Sequence, residues 1–520
     1  MLKKGKKLIS FVTGYWTHVF FLSLIVVGMP FSKFLMSLGT IALIVNWLLE
    51  GGIKAKFKKF FSSKIALFST GVYLLFVLGL LHTQDLNYGL NDLRIKLPLL
   101  AFPIIFSSSH RLKKTHYFLV VRLFVLSVLA STIYGFLVYQ GLVPAKKEIA
   151  QIRDVSQFIS HIRLSLMIVL SLFLIPKLFN NKLINMVFGI TASLWLLYFL
   201  SFMESATGLI LGFVTLFFIS LYYLFKKKSL YGFAMLAPLF LGALILGNHL
   251  YSNYKEVKID RTELATHSAS GNEYKENPLC SFFDNGNYSN DLLCEKELSE
   301  TWINKSEKPY YGEGGVQFIL IRYITSKGYA KDKEGLEMLT PNDIKNIENG
   351  FPNYLHPESS LLSRIPRLMF EIDGYIEGVN ASGNSLAQRL EYWIVSKEII
   401  KANPVFGVGT GDVPTAFAMK YNETSSLLDK KYQLRSHNQY FSITVSLGLL
   451  GLLLFLFCIL YPVPTAFRER NYFYLICLCI SLLSFISEDT LETQDGVFFC
   501  AFLTNFFLFS SRNRYLKSVD

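Results

Sequence analysis

The chain has 520 residues, 52% of them hydrophobic and only 17% charged, and its apolar residues fall in uninterrupted blocks rather than in an amphipathic pattern. That distribution excludes a water-soluble globular enzyme and predicts an all-α integral membrane protein. The formal charge of +13 invites a nucleic-acid partner, but the positions of the basic residues exclude one.

Apolar blocks of spanning length or slightly less lie near residues 16–31, 33–49, 64–82, 95–108, 117–141, 162–179, 183–202, 205–225 and 230–249, and three more near 439–461, 471–487 and 496–511. The expectation is therefore about twelve transmembrane helices, although the 95–108 block "LPLLAFPIIF" is short and carries two prolines. The first block runs straight into the second, so it reads as an uncleaved anchor rather than a signal peptide. With the start "MLKKGKK" inside, the inner segments "KAKFKKFFSSK", "RLKK", "PKLFNNK", "KKK", "RER" and "RNRYLK" bring their total to 22 basic residues. The short outer segments hold seven: Lys33, Arg94, Lys96, Lys146, Lys147, Arg153 and Arg163. This bias is the positive-inside rule, and it predicts a multi-pass protein with both termini cytoplasmic.

Residues 1–249 are then transmembrane helices 1–9, residues 439–520 helices 10–12, and residues 250–438 a large, mostly helical extracytoplasmic loop between helices 9 and 10. The loop's 189 residues carry 26 acidic and 21 basic side chains. A nine-to-three division of spans disfavours a six-plus-six transporter duplication. Through Lys308 the loop reads as irregular surface, stapled by a possible Cys280–Cys294 disulfide. Such a bridge, closing about 15 residues in an oxidising compartment, would stabilise by roughly 3 kcal/mol. Beyond Lys308 the sequence predicts helices in "TPNDIKNIENG", "SSLLSRIPRLMFEIDGYI" and "SLAQRLEYWIVSKEIIKANP", with Thr-Pro or Ser starts and Gly or Asn-Pro stops. Cys458, Cys477, Cys479 and Cys500 sit in apolar blocks and read as packing residues.

Three elements converge at the end of the loop: Arg389 in "SLAQRLEYW", the turn "NPVFGVGTGDVPTAF" with Gly409 and Gly411, and "RSHNQYFSITVSLGLLG" with His437. Singly, each has an ordinary reading, as a salt-bridged arginine, a tight turn and an interfacial helix cap. The acids Glu488, Asp489, Glu492 and Asp495 cluster at an outer turn, which reads first as solvated and second as pairing an arginine or orienting His437.

Together, His437-Asn438, a nine-residue gap and Gly448-Leu449-Leu450-Gly451 match the signature of the O-antigen ligase family, and "RLEYWIVSKEIIKANPVFGVGTGD" resembles its preceding arginine-plus-glycine segment. The resemblance is specific over residues 385–451. It implies a glycosyltransferase C-like fold in a bacterial inner membrane, with the loop periplasmic. The implied activity moves a glycan from an undecaprenyl-pyrophosphate donor to an acceptor hydroxyl, lipid A-core or another glycan, among membrane lipids.

His437 would act as general base, since imidazole ordinarily titrates near envelope pH, and Arg389 would face the leaving pyrophosphate. Arg163, Arg435 and Arg322 are candidate further cations, Gly409 and Gly411 candidate backbone donors, and Asn438, His161, Glu488 and Glu492 candidate supports. No outer Asp-x-Asp suggests a metal, and no cofactor is expected. Many family members carry a Ser-Arg pair where this chain reads "SFMESATGLILGF", with Glu204 and no arginine, so either Arg163 or a loop arginine such as Arg322 substitutes or the donor is held differently.

Three alternatives stay open. An O-antigen polymerase uses the same donor, and one Arg-x15-Gly match, Arg367 to Gly383, is present. A protein O-oligosaccharyltransferase would differ only in acceptor. A lipid or glycan transporter would need polar residues lining mid-membrane, and the apolar blocks are nearly free of them.

Overall fold

The computed structural model describes residues 14–149, 151–179, 181–227, 265–276, 282–285, 287–312, 314–355, 364–376, 381–424 and 426–510, with isolated positions between them. The chain divides into two compact units, one of residues 1–219, 389–426 and 433–520 and one of residues 220–388 and 427–432.

The first unit is a bundle of apolar helices, and it corrects the expectation of twelve spans. Among the described residues four helices are long and apolar enough to cross a membrane: Lys64–His82, Lys114–Tyr139, Lys182–Phe202 and Gln439–Glu469. A fifth exists only if Lys33–Leu49 and Ile53–Phe61, bent by 110° at their junction, count as one. Four more apolar helices, Tyr15–Gly28, Ala206–Tyr222, Tyr472–Ser487 and Gln494–Phe509, have 10–17 residues. The glycosyltransferase C-like architecture built on twelve spans falls with the count.

The shortfall has a local cause. Hydropathy counts apolar residues but does not register where a helix stops. The 95–108 block divides at Leu97 into a polar helix, Leu86–Lys96, and a short one, Pro98–Ser108, opened by proline. The 162–179 block gives a 14-residue helix, His161–Leu174, ended by a 3₁₀ turn containing Pro176. The 230–249 block lies mostly outside the described residues.

Short helices are held by side-chain packing. Gln494–Phe509 packs on Pro98–Ser108 and on Tyr472–Ser487, which in turn packs on His161–Leu174. Phe102 and Phe106 interleave with Phe498, Phe502 and Phe506, with ring centroids 5.1–6.1 Å apart. Each edge-to-face pair adds about 1 kcal/mol beyond its burial.

One distortion positions the site. The Gln439–Leu460 helix is broken at Gly448, whose φ of 68° and ψ of −175° lie outside helical space. A break strands carbonyls on one side and N–H groups on the other. The segment 404–411 straps across it: the Val408 and Gly409 N–H groups donate to Val445 O and Ser446 O at 2.9 Å, while Leu449 N–H donates to Pro404 O at 2.8 Å. A Cβ on Gly448 would lie 2.0 Å from Val405 O. Gly448→Ala is therefore expected to destabilise by at least about 2 kcal/mol, through clash and a forbidden φ together, read as a lowered unfolding temperature of the purified chain in detergent.

The second unit is mostly helical. A two-stranded hairpin, Phe283–Asp284 with Asn287–Tyr288, packs against Gln317–Ser326 and Arg364–Ile376. Its core gathers Leu298, Trp302, Leu320, Ile321, Ile324, Leu336 and Ile347. The predicted Thr-Pro helix is Pro341–Glu348, with Thr340 and Asp343 forming the capping box. The stretch expected to be irregular contains the helix Glu295–Ile303. Cys280, half of the expected disulfide, lies outside the described residues.

Candidate functional site

The first unit gathers its polar side chains around one turn, residues 488–493, between the Tyr472–Ser487 and Gln494–Phe509 helices. This turn is not solvated as first read. Glu488, Asp489, Thr490 and Asp495 are buried, and the Glu492 side chain is 6% exposed, each acid with cationic or N–H partners.

Asp489 builds the start of the His437 helix. Its carboxylate accepts the His437 N–H at 3.0 Å, the Asn438 N–H at 2.9 Å and the Ser442 hydroxyl at 2.6 Å. Asn438 is the N-cap: its side chain accepts the Phe441 N–H at 3.1 Å and donates to Ile486 O at 2.9 Å. These contacts hold His437 at φ 43°, a left-handed conformation unusual for a residue with a Cβ.

The imidazole is thereby presented on a fixed floor. It stacks on Tyr392, with centroids 5.3 Å apart and planes 25° apart. Burial pushes the Tyr392 hydroxyl up to about 12, against the opposing charge of Arg389, so the floor is a neutral phenol. His437 Nδ1 lies 3.8 Å from Glu488 Oε2, its side chain is 33% exposed, and Nε2 has no partner among the described residues.

Tyr392 and Arg389 lie on one helix, Ser385–Ala402, as the sequence predicts. Arg389 Nη2 donates to Glu488 Oε1 at 2.9 Å with the arginine side chain 24% exposed. Glu488 thus touches the histidine and the arginine with different oxygens. Burial acts to raise its carboxyl, but the His437 ring and the Arg163 and Arg389 charges outweigh it and hold the group below the usual carboxylate range.

Arg163 is in this cluster but on its inner side. Its side chain is 5% exposed and reaches Thr493 Oγ1 at 3.3 Å, Thr490 Oγ1 at 3.4 Å, Asp489 O at 3.4 Å and Glu488 Oε2 at 3.8 Å. It props the turn from below. His161 is held down to about 4, by burial first and the Arg153 charge second, and stays neutral at envelope pH. Glu204, at the missing Ser-Arg position, is buried with φ 51°.

Arg435 is the second half-exposed cation beside the histidine, at 27% exposure, with Nη2 3.0 Å from Glu492 Oε2. Arg322 belongs to the second unit, where its Nε donates to Asp284 Oδ2 at 2.9 Å and its guanidinium lies 3.4 Å from the Phe370 ring centroid. Gly409 and Gly411, the candidate phosphate donors, direct their N–H groups to Ser446 O at 2.9 Å and Thr83 Oγ1 at 3.1 Å. Their place is in the strap.

Sequence reasoning missed Tyr88, Asp92, Lys96 and Tyr392. The first three share one face of the Leu86–Lys96 helix: Tyr88 meets Arg435, Lys96 meets Glu492, and Asp92 accepts from Lys96. The available signal was an Asp-Lys pair four residues apart in "NDLRIKLPLL", abutting an apolar run where unpaired charge is costly.

A protein-family model described as O-antigen ligase matches residues 191–456, just over half of the 520-residue chain. The matched segment contains Arg389, Arg435, His437, Asn438, Gly448 and Gly451. The turn at 488–493 lies outside it. No curated protein matches the chain.

Proposed function

The chain belongs to the O-antigen ligase family, a membrane-associated glycan-handling enzyme, and on that premise we propose that it transfers a glycan from an undecaprenyl-pyrophosphate donor to an acceptor hydroxyl, with lipid A-core as the acceptor. The observation that carries the proposal is the triangle of His437, Glu488 and Arg389, in which a half-exposed imidazole and a half-exposed guanidinium share one buried carboxylate. Glu488 holds His437 and Arg389 a short distance apart, as a reaction that removes a proton at one point and releases pyrophosphate nearby requires.

In this reading His437 Nε2 accepts the proton of the acceptor hydroxyl as its oxygen bonds the anomeric carbon. The anomeric C–O bond to pyrophosphate breaks, and the electron pair leaves on phosphate oxygen facing Arg389 and Arg435. Guanidinium suits this task because its donors are forked and always charged. Glu488 favours the imidazolium formed during the step. No metal enters the mechanism, and the proton leaves His437 to solvent after release.

In this reading the site faces the outer side of the inner membrane, with the termini inside and residues 250–438 periplasmic. The Lys64–His82 helix has 19 residues, about 28 Å of rise, close to the hydrocarbon thickness. Its start follows the basic helix Ile53–Phe61, whose Lys59 caps Ser108 O and Ser109 O beside "RLKK". Its other end, at Gly79, accepts the Thr410 N–H of the strap. The strap and the lysine cluster are at opposite ends of one membrane-length helix, and in this reading the basic end faces the cytoplasm.

The surface-glycan profile of a strain lacking this chain tests the proposal and separates its acceptors. Loss of polymer from lipid A-core with accumulation of lipid-linked polymer is expected. Single repeat units left on the core would indicate polymerisation, loss confined to glycoproteins a protein acceptor, and an unchanged profile would overturn glycan transfer.

A further inference from the structure

We propose that Lys96 is a positioning residue for the lipid pyrophosphate: by sharing the Glu492 carboxylate with Arg435, it keeps that guanidinium incompletely neutralised and able to take phosphate oxygen. The proposal rests on the glycan-transfer reading above.

Lys96 ends the Leu86–Lys96 helix and is 0% exposed, unusual for a lysine. Its ammonium lies 2.6 Å from Asp92 Oδ1 and 2.7 Å from Glu492 Oε2, and 4.6 Å from the Phe76 ring centroid. A charge so far from water persists only with such partners. The helix is fixed at its other end by the residue that follows the strap: the Asp412 carboxylate accepts the Gln84 N–H at 2.9 Å and the Asp85 N–H at 2.8 Å. Asp85 then caps the helix through the Tyr88 N–H at 2.9 Å.

Glu492 cannot meet Arg435 fork to fork. Its Oε1 accepts from Gln439 Nε2 at 3.1 Å, and its Oε2 is divided between Lys96 and Arg435 Nη2. Of the five guanidinium N–H donors, Nη1 reaches the Tyr88 hydroxyl at 3.2 Å, while Nε–H is buried with no partner among the described residues. A bidentate carboxylate would satisfy Arg435 and remove its attraction for phosphate. A shared, end-on carboxylate leaves donors for a phosphate oxygen two residues from His437. One buried cation, Lys96, and one part-exposed cation, Arg435, facing two buried carboxylates keep the cluster near neutrality while Arg435 stays under-partnered.

The test titrates the full chain in nanodiscs with undecaprenyl pyrophosphate. Lys96→Met should weaken binding by roughly tenfold, the scale of one charge-assisted phosphate contact, because Glu492 then closes on Arg435. Lys96→Arg should stay within about threefold of native. The decisive variant is Lys96→Met/Glu492→Gln, which frees Arg435 again and should recover native affinity to within about threefold. A merely structural lysine predicts the opposite, a double variant at least as weak as the single one. If Lys96→Met does not accumulate, Lys96→Met/Asp92→Asn leaves one cation and one anion, and the same tenfold loss is expected because Glu492 is still released to Arg435. Native affinity in the Lys96→Met or Lys96→Met/Asp92→Asn protein, or no recovery on removing Glu492, overturns the proposal. Native protein that does not bind this lipid overturns the donor reading itself.

Discussion

His437→Ala is expected to reduce glycan transfer by roughly 10²–10⁴-fold, the usual worth of a positioned general base, while the protein still accumulates in the membrane. The histidine's contribution to folding runs through its backbone, whose N–H meets Asp489, and its ring is only half-buried over Tyr392. His437→Asn sharpens the test. Asparagine tolerates the left-handed φ of 43° at this position, so it preserves the helix start while removing the base. The same loss in both variants, measured as transfer per mole of membrane protein, assigns the effect to imidazole chemistry. Retained transfer in His437→Asn would remove His437 from the mechanism.

Glu488→Gln is expected to have the second large effect, and on two observables. Arg163, Arg389 and His437 all lose their common anion, and taking the carboxylate away from the buried Arg163 charge costs about 3 kcal/mol or more. Transfer should fall by at least roughly tenfold even in the folded fraction, because the amide no longer stabilises imidazolium or fixes Arg389. The pH dependence gives an independent check. The folded Glu488 carboxyl is held below its ordinary value, so its stabilising contribution is fully present above the usual carboxylate range and is lost as pH falls through the lowered folded value. Native protein unfolded in detergent between about pH 7 and pH 3 should therefore lose stability more steeply than Glu488→Gln. Equal slopes would show that this carboxylate is not the shared anion.

What the sequence made legible was local. His437, Asn438 and the Gly448-x-x-Gly451 spacing lie within 15 residues, and the structure gives each a role there: exposed ring, N-cap, and a break that only glycine can make. The Pro341–Glu348 helix was readable from its capping box, and the Ser385–Ala402 helix from its Ser start and Asn-Pro stop. The turn at 488–493 was not. Its acids look like a solvated connection until partners at 163, 389, 437 and 96 are brought to it, separations that no motif spans. Arg163 was readable as a helix-mouth cation but not as a buried prop, because burial depends on where Thr490 and Thr493 stand. The twelve-span expectation failed for a related reason: proline breaks at Pro98 and Pro176 divide or end apolar runs without changing their hydropathy.

The most direct measurement reconstitutes the full chain in liposomes with an undecaprenyl-pyrophosphate-linked glycan and lipid A-core. Glycan should move to the core without any nucleotide sugar, releasing one undecaprenyl pyrophosphate per glycan transferred, and His437→Asn in the same liposomes should leave the donor intact. Unconsumed donor in the presence of folded native protein, or equal transfer by native and His437→Asn proteins, would contradict it.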